Sequence, residues 1–176
     1  MKIGIDARFF GPQQKGIGRY TKELINHIQK YDKENEYYIF LQKEQFDKTN
    51  FENDNFYKVL ADYKIYSLQE QLFFPLLIYK YNLDLMHFTN FNVPVLYFKD
   101  FIVTIHDLIT HKTKKESSSL NSFLFYLKKI AYKFIINCAI KFSKKIITVS
   151  NFSKKTIFEN YKIDPKKIIV IYESAK

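Results

Sequence analysis

Cysteine, tryptophan and glycine are scarce in this chain of 176 residues, which has one, none and four of them. The single Cys138 excludes an internal disulfide, and one cysteine with four scattered histidines gives no spacing typical of a metal site. No run of about 18 apolar residues is free of charge, which argues against a membrane-spanning helix. The N-terminal residues do not resemble a signal peptide. We therefore expect a cytoplasmic protein that uses no metal.

The composition is that of one folded domain with a basic surface. Hydrophobic residues make up 47% and aromatic residues 18%, which argues against disorder, and the length suits one domain over residues 1–176. The formal net charge of +10 favours anionic partners. We interpret the scattered lysines as a solvated surface, with docking on an anionic membrane as the alternative. Nucleic acid is not expected, because no base-reading motif is present.

All four glycines and both arginines fall within the first 19 residues, at Gly4, Arg8, Gly11, Gly16, Gly18 and Arg19. Glycine lets the backbone turn sharply or approach a ligand closely, and arginine suits phosphate or carboxylate. We predict that Gly16 and Gly18 place backbone N–H groups and a helix N-terminus beside a phosphate or sugar. The alternative is that they only allow the turn and close helix packing.

Neither common nucleotide motif fits this glycine-rich segment. Gly11 and Gly16 have the spacing of a phosphate-binding P-loop, but Ile17 and Gly18 stand where that motif requires lysine and a hydroxyl residue. In the dinucleotide-binding fingerprint, Thr21 would replace the third glycine. Arg8 and Arg19 are predicted either to bind an acceptor phosphate or to form ion pairs with acidic neighbours. Asp6 and Glu23 are those neighbours.

Apolar patterning predicts alternating strands and helices. The strands are expected at 2–6, 36–42, 56–61, 84–88, 101–106, 145–149 and 167–172, and the helices at 17–31, 67–82, 119–143 and 151–161. Residues 43–55 are expected to be irregular, and Pro75 to kink or split the second helix. Ser67 and Ser150 are predicted N-caps, with Glu70 completing a capping box. This order indicates an α/β fold with a parallel sheet and helices on both faces.

Ligands of such sheets bind at the carboxyl ends of the strands. The residues found there are Thr89 and Asn90 after the fourth strand, His106 and Asp107 at the end of the fifth, and Ser150 after the sixth. We predict that these polar residues line a substrate site together with the glycine-rich segment. Asp107 and Ser150 also have structural alternatives, as a turn residue and a helix cap.

Four segments together resemble the N-terminal half of a family 4 (group 1) retaining glycosyltransferase of the mannosyltransferase-like branch. They are GIDARFFGPQQKGIGRYTKEL at 4–24, VTIHDLI at 103–109, ITVSNFSKKTI at 147–157 and KIIVIYES at 167–174. The resemblance implies a Rossmann-like domain that forms the N-terminal half of a GT-B fold. It also implies transfer of a sugar from a nucleotide sugar to a glycan or lipid-linked acceptor, in polysaccharide or cell-envelope biosynthesis.

The resemblance also implies roles for individual residues. His106 matches the family histidine that contacts the donor sugar, with Asp107 beside it, and these two are the predicted catalytic residues. Gly16 and Gly18 match the loop bordering the donor diphosphate, and Ser150 matches the serine that opens the following helix. The nucleotide sugar is a substrate, and no cofactor is implied.

The resemblance implies that the family crosses to its second domain near the position of Lys176. The resemblance therefore implies that a C-terminal donor-binding domain is a partner absent from these residues, and we expect this chain alone to be inactive. The alternative function is a non-catalytic basic module that docks on an anionic membrane or a partner chain. Residues 120–142 carry a broad apolar face with lysines, which indicates a core helix or, alternatively, a helix at a lipid surface.

Overall fold

A parallel sheet of seven strands is the centre of this computed structural model, which describes residues 1–11, 15–107 and 122–172. All neighbouring strands in the described sheet pair in parallel. The strands are β1 (Lys2–Asp6), β2 (Glu36–Leu41), β3 (Phe56–Leu60), β4 (Leu85–Phe88), β5 (Phe101–Thr104), β6 (Lys145–Thr148) and β7 (Ile168–Val170).

Helices connect most of the strands. They are α1 (Lys15–Tyr31), α2 (Lys43–Lys48), α3 (Leu68–Tyr79), α4 (Ser122–Phe142) and α5 (Asn151–Tyr161), with a short 3-10 helix at Pro165–Lys167 before β7. Among the described residues, no helix combines the length and apolarity needed to cross a bilayer.

The strand order is β3-β2-β1-β4-β5-β6-β7, so the direction in which the chain adds strands reverses beside β1. The register brings Ile5 opposite Ile39 on one side and opposite His87 on the other. The carboxyl ends of β1 and β4 therefore lie side by side. This is the switch point at which open α/β sheets bind ligands.

Two hydrophobic cores cover the two faces of the sheet. Right-handed crossovers place α1 and α2 on one face and α3, α4 and α5 on the other. Ile25 of α1 belongs to the first core. The second, larger core contains Phe74 of α3, Ile136 of α4 and Ile157 of α5. The prediction of a parallel sheet with helices on both faces is confirmed.

Three local predictions differ from the structure. Residues 43–48, expected to be irregular, form α2, in which no residue is buried. Helix α3 runs unbroken through the buried Pro75, so the expected split is absent. The strand expected at 101–106 is shorter, because β5 ends at Thr104. Positions 119–121 of the third predicted helix, 108 and 109 of the VTIHDLI segment, 173 and 174 of the KIIVIYES segment, and 12–14 of the glycine-rich segment lie outside the described residues.

Candidate active site

Polar side chains follow four neighbouring strands at the carboxyl edge of the sheet. The strands are β1, β4, β5 and β6, and they adjoin one another in the sheet order. The residues that follow them include six of those predicted from the sequence, at Arg8, Thr89, Asn90, His106, Asp107 and Ser150. The structure therefore brings most of the predicted site to one edge.

Arg8, directly after β1, is paired internally. Its Nε and Nη2 donate to the two carboxylate oxygens of Asp6 at 2.8 and 2.7 Å. Its Nη1 lies 2.6 Å from Glu70 Oε1, within ion-pair distance although not aligned for a hydrogen bond. The guanidinium also lies over the Phe74 ring, 3.7 Å from its centroid. Burial alone would lower the pKa of Arg8, but the two carboxylates raise it above its ordinary value.

Of the two roles predicted for Arg8, the ion pair with Asp6 is the one present in this structure. The side chain is fully buried, so its guanidinium does not face a substrate here. Arg8 instead fixes the course of the chain after β1 against α3.

Glu70, in the first turn of α3, joins three segments of the chain. Its carboxylate accepts hydrogen bonds from the backbone N–H of Tyr66 and from Asn92 Nδ2, both at 2.6 Å, and it faces Arg8. Ser67 caps α3 as predicted, accepting from the N–H of Glu70 at 3.1 Å. The Glu70 carboxylate therefore holds the segment before α3 together with the loops that follow β1 and β4.

Thr89 holds the ends of β1 and β4 together. Its hydroxyl donates to the backbone carbonyl of Asp6 at 2.7 Å and accepts from the Thr21 hydroxyl of α1 at 3.1 Å. Its own carbonyl lies 3.3 Å from His106 Nε2. Thr89 thereby links α1, β1 and β4 to the candidate histidine.

Asn90 is buried beside Thr89, and its amide lies close to the Tyr66 side chain without the alignment of a hydrogen bond. A buried amide left unpaired costs free energy that a hydrogen-bonding ligand or a water molecule can recover. Asn90, like the Oδ1 atom of Asn92, therefore has hydrogen-bonding capacity that the described residues do not fill with an aligned bond.

His106 is half-buried after β5 and rests against an aromatic ring. The Tyr20 ring of α1 meets the imidazole edge-to-face, with centroids 4.8 Å apart. The Tyr20 hydroxyl is 3.1 Å from Thr104 Oγ1, which is 2.8 Å from His87 Nε2. A connected row of side chains thus runs from the buried His87 through Thr104 and Tyr20 to His106.

His87 is buried within the sheet on β4. Burial, with a smaller contribution from the nearby His106, lowers the pKa of His87 from 6.5 to about 4. His87 is therefore neutral at pH 7. The neutral ring forms one hydrogen bond with Thr104 Oγ1, which in turn lies within hydrogen-bond distance of the Tyr20 hydroxyl. His87 therefore helps to hold Tyr20 in place.

The start of α5 supports His106 from the other side. Ser150 caps α5 as predicted, since its hydroxyl accepts from the N–H of Ser153 at 3.0 Å. The Ser150 hydroxyl also donates to Ser153 Oγ at 3.0 Å, and Ser153 Oγ donates to the backbone carbonyl of His106 at 3.0 Å. The helix after β6 is thereby tied to the end of β5.

The remaining predicted residues lie near the start of α1 or on the surface. Gly18 is buried within α1, whereas Gly16 and Arg19 are exposed, as is Asp107 after His106. A Cβ atom added at Gly16 would meet nothing within 4 Å, so packing does not require glycine there. Gly11 has a φ of +105°, a backbone conformation that favours glycine.

A groove of about 570 Å³ lies at the opposite edge, where α1 ends and β2 begins. Asp32, which lines it, accepts hydrogen bonds from the Tyr37 hydroxyl at 2.6 Å and from Asn35 Nδ2 at 2.7 Å. These bonds hold the pKa of Asp32 well below its ordinary value. The charge of Asp32 is thus used within the fold, and the groove is separated from the carboxyl edge by the length of α1.

The family of the chain follows from its sequence match. The sequence model of the family described as Glycosyltransferase Family 4 matches residues 15–174. The chain belongs to glycosyltransferase family 4. None of the curated proteins is similar enough in sequence to match.

Two solved structures show the same fold as this family 4 chain. Both are variants of the wall teichoic acid polymerase TagF with one substituted histidine, and each matches with a TM-score of 0.58 and 14% identity. The matches cover 97% and 98% of this chain but 38% of the TagF chain. At this identity the likeness shows the fold alone. The predicted Rossmann-like domain of the GT-B fold is confirmed.

Sequence reasoning missed the supports of this family 4 site. Tyr20 stands within the GIGRY segment, but its spacing of four residues from Leu24 is typical of a helix residue that faces the core. His87 and Thr104 lie inside apolar strands, and the run of apolar neighbours gave no sign that their side chains pair. Ser153, one turn after the Ser150 cap, was detectable as the N–H donor of that cap but not as a partner of His106.

Proposed function

We propose that the chain is the acceptor-side N-terminal domain of a glycosyltransferase that moves a sugar from a nucleotide sugar to a glycan or lipid-linked acceptor. The observation that carries this proposal is the position of His106 at the switch-point edge. It rests between Tyr20, the carbonyl of Thr89 and the start of α5. Family membership supplies the reaction class.

His106 and Asp107 are the proposed catalytic residues. His106 would hydrogen-bond hydroxyl groups of the donor sugar, and its fixed surroundings would hold that contact while charge develops in the transition state. Asp107 is exposed beside it and would bind acceptor or orient His106. Retention of configuration and mannose as the sugar are the finer parts of this proposal, and the sequence motifs support them.

The other predicted residues have proposed binding roles. Gly16 and Gly18 would border the donor diphosphate at the start of α1, where backbone N–H groups are available, and Arg19 would bind an acceptor phosphate. Thr89 and Asn90 would line the substrate site at the same edge, where the Asn90 amide has no aligned hydrogen bond, and the helix N-terminus at Ser150 would face the diphosphate. For Arg8 we propose an indirect role, because Asp6 and Glu70 occupy its guanidinium.

The surroundings of the reaction are also part of the proposal. A C-terminal domain would bind most of the donor, in keeping with the 38% of TagF that this chain covers. The TagF title names a polymerase of a cell-wall polymer, which supports a role in polysaccharide or cell-envelope biosynthesis. We propose a cytoplasmic protein at the inner face of the membrane that uses no metal and does not bind nucleic acid.

The test uses the protein that carries both domains. Incubation with a panel of nucleotide sugars and glycan or polyprenyl-linked acceptors should release nucleotide with one of them, and GDP-mannose is the first choice. Proton NMR of the product should show the anomeric configuration of the donor. An inverted product would contradict retention but not glycosyl transfer. Preference for a different sugar would contradict mannose alone.

The alternative, a non-catalytic basic module docking on a membrane or partner chain, has a separate signature. It predicts no nucleotide release from any nucleotide sugar by the two-domain protein. Nucleotide release that depends on His106 would exclude this alternative. No nucleotide release with any nucleotide sugar of the panel would exclude the transferase.

A further inference from the structure

Three aromatic side chains from separate segments meet beside the carboxyl edge of the sheet. The Tyr66 ring, shortly before α3, lies 6.2 Å from the Phe91 ring in the loop after β4, with 29° between the two planes. The Phe91 ring meets the Tyr132 ring of α4 edge-to-face, with centroids 4.8 Å apart. We call Tyr66, Phe91 and Tyr132 the aromatic row.

Tyr66 is the exposed member of the aromatic row. It is 59% exposed, whereas Phe91 and Tyr132 are half-buried. Its φ is +62°, in the left-handed region that bulky residues seldom adopt, and the hydrogen bond from its N–H to Glu70 holds it there. Unfavourable backbone conformations of this kind cluster at functional sites, and here the side chain is left open to solvent.

The hydroxyl end of Tyr66 lies on the buried side. Burial, followed by the nearby Tyr132 and Glu70, raises the pKa of Tyr66 to about 12, so the hydroxyl stays protonated at pH 7. The Asn90 amide is close enough to act in the opposite direction, and it has no aligned hydrogen bond. Because the hydroxyl is desolvated, the exposed part of Tyr66 is mainly its ring.

An exposed aromatic ring beside an unsatisfied amide suits a sugar ring. A pyranose carries C–H groups on its faces, which the negative face of an aromatic ring attracts, and hydroxyl groups around its rim, which an amide can bind. The buried cation near Tyr66 is Arg8, and it is already paired with Asp6 and Glu70. Arg8 is therefore not available to a phosphate, and the surroundings favour a neutral ligand.

The aromatic row adjoins the candidate histidine. Thr89, whose carbonyl lies 3.3 Å from His106 Nε2, precedes Phe91 by two residues. Cα atoms at this separation are at most about 7 Å apart. A ligand seated on the aromatic row is thus held next to His106.

We propose that Tyr66, supported by Phe91, is the platform on which a neutral pyranose ring of the acceptor stacks. A small rotation of Asn90 lets its amide bind a hydroxyl group of that ring. The inference rests on the proposed function, because only a transferase has an acceptor, and it narrows the acceptor to a glycan that presents a sugar ring at this position. Tyr66 selects the acceptor and takes no part in the reaction itself.

The first test is saturation-transfer difference NMR of the 176-residue chain with the methyl glycopyranosides of glucose, galactose, mannose and N-acetylglucosamine. Glucitol, an open-chain polyol with hydroxyl groups but no ring, is the control probe. We expect at least one glycoside, but not glucitol, to receive saturation at its C–H protons. In the ¹⁵N-labelled chain, that glycoside should cause its largest shifts at Tyr66, Asn90 and Phe91.

Substitutions of Tyr66 separate its ring from its hydroxyl. Tyr66→Asn removes the ring and tolerates the left-handed backbone, so the Kd of the glycoside should rise by about tenfold or more. Tyr66→Phe keeps the ring and should stay within about threefold. The matched control is Tyr31→Asn at the end of α1, which removes another exposed tyrosine and should stay within about twofold. Circular dichroism and cooperative unfolding separate lost binding from lost folding.

Three results of the binding experiments would overturn the proposal. No glycoside could bind, or glucitol could bind as well as the glycosides. Folded Tyr66→Asn and Tyr31→Asn could bind the glycoside equally, with amide shifts that avoid the loop after β4. Each of these results would show that the exposed Tyr66 ring does not hold a sugar.

The two-domain protein distinguishes failure of this inference from failure of the proposed function. There Tyr66→Asn should raise the KM for a glycan acceptor by about tenfold, with a smaller effect on kcat. Turnover with an unchanged acceptor KM would overturn the platform and leave the transferase intact. No turnover, combined with sugar binding that Tyr66→Asn abolishes, would overturn the transferase and leave Tyr66 as a sugar-binding residue.

Discussion

Arg8 and Glu70 meet in the interior, with Nη1 2.6 Å from Oε1 and neither side chain exposed. Asp6 contacts the same guanidinium, so two buried carboxylates share one positive charge. Hydrogen bonds from the Tyr66 N–H and Asn92 Nδ2 stabilise the excess negative charge on Glu70. The contact joins the chain after β1 to the start of α3 and to the loop after β4.

Loss of Arg8 should therefore destabilise the domain strongly. Arg8→Met leaves Asp6 and Glu70 buried without a counter-charge, and we expect the free energy of unfolding to fall by about 3–5 kcal/mol. Glu70→Gln keeps the shape of the side chain and leaves the ion pair between Arg8 and Asp6. We therefore expect the free energy of unfolding to fall by a smaller amount, about 1–3 kcal/mol. Urea unfolding measures both changes.

A double-mutant cycle tests the coupling between these two residues. Glu70→Gln in the Arg8→Met background should cost less than in the unaltered chain, because the second buried carboxylate is then already unpaired. Additive losses would contradict the coupling. The exposed pair Lys43–Asp47 provides the control, since Lys43→Gln should change stability by less than about 0.5 kcal/mol.

His87 should make stability depend on pH between about 4 and 6.5. Its folded pKa of about 4 lies below the unfolded value of 6.5, so the unfolded chain binds the additional proton in this range. The contribution is complete above pH 6.5 and is lost as the pH falls through this window, by up to about 3 kcal/mol.

The variant His87→Gln isolates that contribution. Its amide can replace the hydrogen bond to Thr104, but it does not titrate. The difference in unfolding free energy between pH 7 and pH 5 should be smaller in the variant than in the unaltered chain. Equal differences would show that His87 is not held neutral by burial.

Gly16 separates packing from ligand binding. Because a Cβ atom there meets nothing within 4 Å, Gly16→Ala should leave stability unchanged or raise it by up to about 1 kcal/mol. In the two-domain protein the same substitution should raise the KM for the nucleotide sugar if backbone approaches the diphosphate at this position. A stable variant with unchanged KM would remove Gly16 from the site.

Tyr20 should act on His106 through its ring. Tyr20→Phe keeps the edge-to-face contact and loses the hydroxyl near Thr104, so kcat should fall by no more than about threefold. Tyr20→Leu loses the ring and should lower kcat by about tenfold or more, because His106 is then less precisely placed. Equal effects of both substitutions would assign the role to the hydroxyl instead.

The fold was largely predictable because strands and helices carry different apolar periods. Helix α2 was missed because none of its residues is buried, so 43–48 has no apolar face to detect. Its exposed pairs Lys43–Asp47 and Lys48–Glu44 are a weaker sign of a helix than burial.

The site was predictable only in part, since its residues come together through the tertiary fold. Thr89, His106 and Ser150 could be placed at one edge because each follows a strand. The partners of Glu70 could not, because the sequence shows its capping position but not that Arg8 and Asn92 reach it. The row of side chains from His87 through Thr104 to Tyr20 was not predictable either, because it forms only when β4 and β5 lie side by side.

The central claim is that His106 serves sugar transfer, and one comparison tests it most directly. In the two-domain protein, kcat/KM for nucleotide release from the preferred nucleotide sugar is measured for His106→Ala and for His27→Ala, an exposed histidine of α1. We expect a loss of about 100-fold for His106→Ala and less than about twofold for His27→Ala. Equal kcat/KM for both variants and the unaltered protein would contradict the account.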